Sequence, residues 1–577
     1  MNTKRFFPNA AWIFLLALLV RLVVLSRFGH SAYFSPTSGD MKFYADWGQR
    51  IAAGDWTDFH AFYGLPGYPF LLAGIFVLHG FSPYTIAFLQ TLSETGIAVL
   101  IYQTAIWAFP GSRPRLIGVL ASLGWMFFQP AQAFSLIVMP TTWSVLAFWS
   151  VFAWSVRTGS RSRWWPWAAL GAVVGVAATL VATVILVLPI PIAAAVRNLR
   201  RPGAIFTAVA CLLAGVAVGT SPCWYHNYFL AREPVFLSAH SGVNFWIGNN
   251  PDANGYPKMP TGLRPSQEGL LEDSVRIAEA QTGRPLSRAE VSRFWSAKAN
   301  AYIHACPSQW AALMALKVRN FWSSTQYDDL SVINPLWEEG VLTPGLRFGW
   351  AAALAFPGIA LAWKRFPRSR WIVASVLLAM VALLPVFVTE RYRLVAVPGL
   401  LLLGACGIAE MGSALASRRW GRAGAWLGAG AIAFLLIHLP QNAPDLEWME
   451  AYNSGQNALQ IGNLPSARAK LERAFNLAPQ NADVLTALGS YWLRENDFLK
   501  ARDYYQRALQ INPQTLSALN NLALLEMVDG HWAKAQALLN TALGIEPNAP
   551  KIRELAARCA WELDQQAPPV SIKRSVP

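Results

Sequence analysis

The sequence predicts an all-α membrane protein that ends in an array of helical repeats. Its 577 residues are 54% hydrophobic and 14% charged, whereas soluble proteins carry about 25% charged residues. Apolar runs alternate with short basic loops over most of the chain, as in proteins that cross a bilayer several times. The last part of the chain instead repeats small and large positions every 34 residues, which indicates stacked helical hairpins.

The positive charge is unevenly distributed. The chain carries a net charge of +15, and the excess lies in residues 1–440, because residues 441–577 hold 13 basic and 14 acidic side chains. Basic loops stay in the cytoplasm, so the clusters predict a cytoplasmic N-terminus and a C-terminus on the outer face. Clusters between apolar runs also argue against a nucleic-acid partner. The clusters are Lys4–Arg5, Arg113–Arg115, Arg157–Arg163, Arg197–Arg201, Lys364–Arg370 and Arg418–Arg422.

The apolar runs predict about 11 transmembrane helices in a membrane domain, residues 1–440. The run 69–79 is too short to cross and is expected to lie at the interface or to re-enter. This leaves residues 29–82 as one outer loop and 223–345 as a second outer region. That region is predicted to be helical, with a capping box at Ser287 and Glu290. Its Trp295, Trp310 and Trp322 are expected on a surface that lies at the bilayer interface. The expected spans are 10–28, 84–109, 116–128, 133–156, 165–180, 182–196, 204–222, 346–363, 371–388, 394–411 and 423–440.

The cysteines and the metal motifs leave the chemistry open. Cys223 and Cys306 would both face an oxidising compartment, where they either pair or remain free as small hydrophobic residues. No CxxC or HExxH spacing occurs, so the sequence indicates no metal site, points to no particular cofactor and leaves a requirement for a divalent cation undetermined.

Residues 441–565 resemble the tetratricopeptide repeat family. Three repeats span 448–549, a capping helix follows at 550–564, and residues 566–577 form a flexible tail. Small residues let paired helices approach closely, and proline ends each second helix. The resemblance implies a concave surface that binds a partner protein and has no catalytic role. The matching positions are Ala467, Ala501 and Ala535; Ala474, Ala508 and Ala542; and Pro479, Pro513 and Pro547.

Three segments of the membrane domain carry a shared pattern: Gly39–Asp40 through Leu65–Pro66–Gly67–Tyr68–Pro69, the run NFWIGNN at 244–250, and ERYR at 390–393. Together they resemble the GT-C glycosyltransferases, and more narrowly the branch of protein O-mannosyltransferases and lipid A aminoarabinose transferases. The resemblance implies a polyprenyl-phosphate sugar as donor. One departure is the stretch 139–143, MPTTW, where many relatives carry an acidic residue. The departure implies either a different substrate or a lower activity than theirs.

The resemblance identifies Asp40 as the catalytic base. Sugar transfer to a hydroxyl needs a group that accepts its proton, and the alternative for Asp40 is a helix N-cap. Asp46 lies six residues further on, too far around a helix to pair with Asp40, and is either a substrate contact or a solvated acid. Lys42 is a candidate for the donor phosphate, and Tyr44 for the substrate.

The resemblance also implies that Arg391 and Arg393 hold the donor phosphate, since arginine binds phosphate through a fork of two bonds. Their alternative role is to anchor a helix end at the interface. Asn244, Asn249 and Asn250 are candidates for sugar contacts, although the same run is typical of a turn.

Arg21 and Glu94 lie within the first two predicted spans. A charge at such depth is costly unless it is paired, so we expect a structural ion pair that braces the outer loop.

Together these features predict a bacterial inner-membrane glycosyltransferase that transfers a monosaccharide, with inversion, to a protein or to an envelope glycan or lipid. Its partners would be membrane lipids, the donor, the acceptor and a protein bound by the repeats. The alternative is a non-catalytic membrane scaffold that acts through its repeats.

Overall fold

The computed structural model is helical, with one isolated backbone bridge and no strand in the residues that it describes. The described residues are 9–31, 33–37, 39–157, 163–264, 266–440, 444–460, 462–545 and 549–566. Lys4–Arg5, part of the basic loop 157–163, Pro547 and the tail after Gln566 lie outside them. The chain divides into two compact units, Met1–Gln441 and Asn442–Pro577.

The helices of the first unit fall into apolar helices and a helical region between α10 and α16. They are α1 (Ala10–Phe28), α2 (Gly39–Ala52), α3 (Gly67–His79), α4 (Pro83–Ala108), α5 (Pro114–Met126), α6 (Gln129–Leu136), α7 (Thr141–Arg157), α8 (Trp165–Leu180), α9 (Pro189–Asn198), α10 (Pro202–Tyr225), α11 (Ser241–Gly248), α12 (Gln267–Thr282), α13 (Arg288–Ala305), α14 (Pro307–Trp322), α15 (Ile333–Glu338), α16 (Phe348–Arg365), α17 (Ser369–Val381), α18 (Glu390–Arg393), α19 (Val397–Ala416) and α20 (Trp420–Ile437).

Several helices are compatible with a membrane protein, but fewer than the sequence predicts. Within the described ranges, five helices are long and apolar enough to cross a membrane. Other expected spans form shorter helices: α5 and α17 have 13 residues each, or about 20 Å against an apolar core of about 30 Å. The expected count of about 11 is therefore not reproduced. The five are Ala10–Phe28, Pro83–Ala108, Pro202–Leu230, Glu390–Ala416 and Trp420–Ile437.

The expected span 133–156 is broken rather than continuous. Helices α6 and α7 meet at an angle of 117°, with extended backbone at Ile137. Pro140 lies three residues further on, and the residue before a proline, here Met139, is disfavoured in a helix. The buried amide of Gln90 donates to the carbonyls of Ser135 and Ile137 at 3.0 and 2.8 Å. This side chain thus satisfies carbonyls that the break leaves without helical partners.

Helices α8 and α10 pack with their backbones in contact. A Cβ added at Gly175 would lie 2.5 Å from the carbonyl oxygen of Val216, and Cβ atoms at Gly171, Gly215 and Gly219 would lie closer still to backbone oxygens. On each helix the two glycines at this contact are four residues apart. Small residues at this spacing let membrane helices approach closely.

The region between α10 and α16 is helical, as expected. Ser287 and Glu290 form the predicted capping box at the start of α13. The prediction for Trp295 is wrong: this indole is 2% exposed and donates to the carbonyl of Ser274 at 3.1 Å. Trp295 therefore belongs to the core of the region, where it packs against Trp246.

The second unit consists of paired helices that follow the 34-residue repeat. Gly489 faces the ring of Tyr505, which a Cβ would approach to 2.6 Å. The alanines at the repeat's small positions are fully buried, so each pair of helices packs through them. The helices are α21 (Pro444–Gln460), α22 (Leu464–Leu477), α23 (Ala482–Arg494), α24 (Phe498–Ile511), α25 (Leu516–Val528), α26 (Trp532–Ile545) and α27 (Pro550–Gln566).

Candidate functional site

Asp40 lies in the first turn of α2, directly after Gly39, whose φ of +58° only glycine adopts readily. Its carboxylate does not cap its own helix in any hydrogen bond of the described structure. Instead, Oδ2 accepts from Nη1 of Arg391 at 2.9 Å, and Oδ1 accepts from Nε2 of Gln267 at 3.1 Å. The side chain is 12% exposed. Asp40 is thus held from two distant segments while it keeps access to solvent.

Arg391 joins two carboxylates. Its Nη1 binds Asp40, and its Nη2 lies 2.7 Å from Oδ2 of Asp329. Burial raises the pKa of Asp329 to about 6, although Arg391 opposes the rise. With both acids ionised, the three side chains carry a net charge of −1, and protonation of Asp329 brings the group to neutrality.

Several buried polar atoms beside this group have no hydrogen-bond partner in the described structure. They are Nε of Arg391, Oδ1 of Asp329, Oγ1 of Thr389 and Nε2 of Gln326. Buried polar groups are normally satisfied by protein, water or a ligand. Four such atoms within two short segments indicate a place where water or a bound molecule completes the structure.

Aromatic side chains and a histidine surround Asp40. Burial, together with the charge of Asp40, raises the pKa of Tyr44, so its phenol remains protonated. The same two causes act on Tyr63, where Arg288 opposes them. His240 lies with Nδ1 2.9 Å from the carbonyl oxygen of Tyr63, and burial lowers its pKa. Neutral His240 would donate through Nδ1, which leaves Nε2 as an acceptor.

Arg393 does not share the position of Arg391. It is 1% exposed, and its nitrogens bond to Glu390 and to backbone carbonyls, among them those of Ser323 at 2.8 Å and Thr325 at 2.9 Å. Its guanidinium also lies over the ring of Phe348. All of its N–H groups therefore have acceptors within the protein, and the phosphate-binding role expected for this arginine stays a prediction.

Lys42 and Asp46 form an ion pair one turn apart on α2, and both side chains are 46% exposed. The hydrogen bond to Asp46 raises the pKa of Lys42. In the described residues Asp46 has no bond to any member of the Asp40 group, in keeping with the separation that helical geometry gives the two acids. The pair is a solvated feature of the α2 surface.

Two of the three predicted sugar contacts have structural partners. The amide of Asn249 donates to the carbonyl of Pro385 at 2.7 Å, and its oxygen accepts from Trp310. The amide of Asn250 donates twice within its own helix turn. Both are nearly fully buried. Asn244 is half-buried on α11, four residues after His240. A sugar-binding role stays a prediction for all three.

Arg21 and Glu94 lie together inside the apolar core. Nη2 of Arg21 is 3.1 Å from Oε2 of Glu94 and 3.2 Å from the carbonyl oxygen of Trp125. Thr142 donates to the other carboxylate oxygen at 3.1 Å. This pair thus ties α1 to α4, α5 and the start of α7.

Sequence reasoning missed Asp329, Gln267 and His240. The only signal for Asp329 is the acidic pair Asp328–Asp329 in a chain that is poor in acids; the other two residues lie in a loop or at a helix start without a motif. In the described residues no group of three or more His, Cys, Asp or Glu side chains is arranged to hold a metal. Cys223 and Cys306 are both free thiols.

Comparison with known proteins bears on the second unit. No curated protein matches the chain. Two family models, both described as tetratricopeptide repeat, match residues 452–514 and 493–559. The membrane-domain resemblance to glycosyltransferases stays a prediction. The C-terminal part of the chain, over residues 452–559, therefore consists of tetratricopeptide repeats, as its 34-residue period predicts.

Proposed function

We propose that residues 1–440 form a membrane glycosyltransferase that moves a monosaccharide from a polyprenyl-phosphate donor to a hydroxyl group at the outer face. The observation that carries the proposal is the Asp40–Arg391–Asp329 group. It combines an accessible carboxylate, a buried guanidinium and unpartnered polar atoms in one place. Perturbed ionisable groups with unsatisfied neighbours are typical of a catalytic site.

The chemical step assigned to Asp40 is proton acceptance. The acceptor oxygen attacks the anomeric carbon of the donor while Asp40 takes the hydroxyl proton. The bond between the anomeric carbon and the phosphate oxygen breaks, and its electron pair leaves with the lipid phosphate. A single displacement of this kind inverts the anomeric configuration.

Arg391 would act mainly as a positioning residue. Each of its two terminal nitrogens binds one carboxylate, Asp40 or Asp329, and Nε has no partner in the described structure, which makes Nε the nitrogen open to a substrate. A carboxylate that accepts charged hydrogen bonds has a fixed orientation, and this fixes the lone pairs of Asp40. Asp329 also forms an ion pair with Arg391, so the positive charge of Arg391 is not balanced by Asp40 alone.

Substrate contacts are available from the groups around Asp40. The phenol of Tyr44 is a protonated donor, and the amide of Gln267 already reaches Asp40. Asn244 is placed near His240 on α11. We assign Asn249 instead to bracing, because it binds the carbonyl of Pro385 just before the Arg391 segment.

The repeats support binding of a protein partner. In this proposal that partner is the acceptor or a protein that brings it, and the enzyme lies in a bacterial inner membrane with the repeats outside. The second candidate function is a non-catalytic scaffold. It is favoured by the repeats, whose family assignment is the one that comparison supports.

The test compares cells that lack the protein with cells that express the intact chain or Asp40→Asn. Mass spectrometry of outer-face proteins and glycans should detect a hexose or pentose addition that requires the intact chain and is lost with Asp40→Asn. If glycosylation is identical in all three and the partner of the repeats is still captured by both forms, the scaffold is the better account.

A further inference from the structure

The proposed donor brings a phosphate to a site that has no spare positive charge in its centre. Arg391 is matched by two carboxylates, Arg393 has acceptors for its N–H groups, and Lys42 is paired with Asp46. With both acids ionised the Asp40 group carries −1. An anionic phosphate would be repelled there unless another cation is near.

Arg347 is a cation that has no acidic partner in the described part of the chain. Its Nε donates to Oε1 of Gln129 at 2.8 Å, and its Nη1 donates to Oε1 of Gln326 at 3.1 Å. Both acceptors are neutral amides, so they orient the guanidinium and leave its charge uncompensated. The side chain is only partly exposed, which strengthens its interaction with an anion relative to a fully solvated arginine.

Gln326 offers a second donor at the same place. Its oxygen is used by Arg347, while its Nε2 is buried and has no partner. An amide N–H beside a forked guanidinium provides two kinds of donor that an oxyanion can accept from. The buried, unpartnered nitrogen is an observation independent of the charge balance.

Gln326 also connects Arg347 to the Asp40 group. It lies three residues before Asp329, the partner of Arg391. The carbonyl of Tyr327 accepts from the backbone N–H of Glu390 at 2.8 Å, so this short loop runs beside the segment that carries Arg391. Arg347 and Arg391 thus contact the same loop, through Gln326 and Asp329 respectively.

The position of Arg347 is fixed by the broken span. Leu346 bonds through its backbone to Phe127 and Gln129, with distances of 2.8 and 3.0 Å. The side chain of Gln132 binds both the backbone N–H and the hydroxyl of Thr343. Segment 343–347 is therefore clamped against α6, and Arg347 stands at the start of the apolar helix α16.

We propose that Arg347 and Gln326 hold the lipid-linked phosphate of the donor, a role that rests on the proposed function only for the identity of that donor. The sequence had assigned the phosphate to Arg391, Arg393 and Lys42. In this assignment Arg347 supplies the unmatched charge, Nε2 of Gln326 supplies a neutral donor, and Arg391 serves Asp40.

The test measures binding without sugar transfer. The full chain in detergent is titrated by calorimetry with farnesyl phosphate, with farnesol and with inorganic phosphate alone. We expect farnesyl phosphate to bind more tightly than farnesol. Arg347→Gln should weaken farnesyl phosphate binding by about tenfold or more, the weight of one charged hydrogen bond, and leave farnesol unchanged. Arg27→Gln is the control, since Arg27 is exposed and donates to the backbone carbonyl of Gly340.

A second variant protects the test against misfolding of the first. Gln326→Glu keeps the shape of the side chain and places a carboxylate on Arg347, so it should weaken farnesyl phosphate binding in the same way. Unchanged affinity in both variants would overturn the proposal. Equal affinity for inorganic phosphate and farnesyl phosphate would overturn the assignment to a lipid-linked phosphate. If farnesyl phosphate binding depends on Arg347 but no sugar transfer depends on Asp40, the result would support this site and reject the proposed function.

Discussion

Lys317 allows a quantitative prediction for the segment that carries Arg391. This lysine is 0% exposed. Its Nζ donates to the carbonyl of Leu384 at 2.8 Å and lies 3.4 Å from Oδ1 of Asn249. Burial lowers the pKa of Lys317 from 10.5 to about 7. Lys317 therefore braces the chain just before the Arg391 segment, and it does so as a buried base without an acid.

The sign of the pH effect follows from linkage. The folded state binds this proton more weakly than the unfolded chain, so the free energy of unfolding is highest above the unfolded pKa of 10.5, falls as the pH drops toward about 7, and levels off below it. The shift of about 3.5 units corresponds to a cost of up to about 5 kcal/mol at pH 6. Between pH 9 and pH 6 the cost grows by about 3 kcal/mol, because only the two units above 7 contribute.

Lys317→Met removes this cost and loses the hydrogen bonds, which are worth about 1–2 kcal/mol together. We therefore expect the free energy of unfolding of the variant to exceed that of the intact chain by about 3–4 kcal/mol at pH 6 and to match it within about 1 kcal/mol near pH 9. The assay is thermal unfolding of the full chain in detergent at both pH values. At pH 6 the melting temperature should rise by a few °C, roughly what such a change in free energy gives in a large domain.

The control for this experiment is Lys298→Met. Lys298 is partly exposed over the rings of Trp246 and Trp295, so its replacement should change the melting temperature equally at both pH values. If Lys317→Met lowers the melting temperature by the same amount at pH 6 and pH 9, Lys317 stabilises the fold as a charged donor and the reasoning is refuted.

Three further predictions concern the site, the core and the repeats. In the intact chain the transfer rate should fall below about pH 6, because protonated Asp329 leaves Arg391 matched by one carboxylate. Asp329→Asn has no such group to protonate, so its pH–rate profile should lack this fall. Arg21→Leu should destabilise the chain by about 3–5 kcal/mol, while the double variant with Glu94→Leu recovers most of the loss, since it leaves no unpaired buried charge; thermal unfolding measures both. Gly489→Leu should destabilise the repeats by at least about 1–3 kcal/mol through overpacking, seen as faster limited proteolysis of the full chain.

Matched controls accompany these variants. Asp252→Asn changes an exposed acid and should keep the pH–rate profile. Gly544→Leu adds a side chain where nothing lies within 4 Å and should not speed proteolysis. The first prediction is contradicted by a pH–rate profile that is unchanged in Asp329→Asn. The second is contradicted by a double variant that is no more stable than Arg21→Leu, and the third by equal proteolysis of the two glycine variants.

The sequence predicted the parts of the fold that depend on local pattern. The 34-residue period placed the helix contacts of the repeats, because each small position meets a neighbour within the same hairpin. The pairs of glycines at 171–175 and 215–219 carry a close-packing signal, which the apolar runs alone do not show. The break at 137–140 was marked by Pro140, yet the apolar run concealed it, since hydropathy does not reveal where a helix bends.

The sequence predicted some of the residues that form the site, but it did not predict how they are arranged. Asp40 and Arg391 were both selected from the sequence, but they are 351 positions apart, and no local rule shows that they touch. Asp329 and Gln267 enter the site from loop and helix-start positions, which periodicity does not describe. Trp295 was misplaced because an indole suits a membrane interface and a buried core equally well.

The most direct test of the central claim is the initial rate of sugar transfer by the purified full chain from a radiolabelled polyprenyl-phosphate sugar. Asp40→Asn keeps the size of the side chain and removes its ability to accept the proton, whereas Asp46→Asn changes an exposed acid on the same helix. We predict that transfer falls by about 10²-fold or more, the usual weight of a general base, in Asp40→Asn and stays near the original rate in Asp46→Asn. Equal rates in the two variants would contradict the claim.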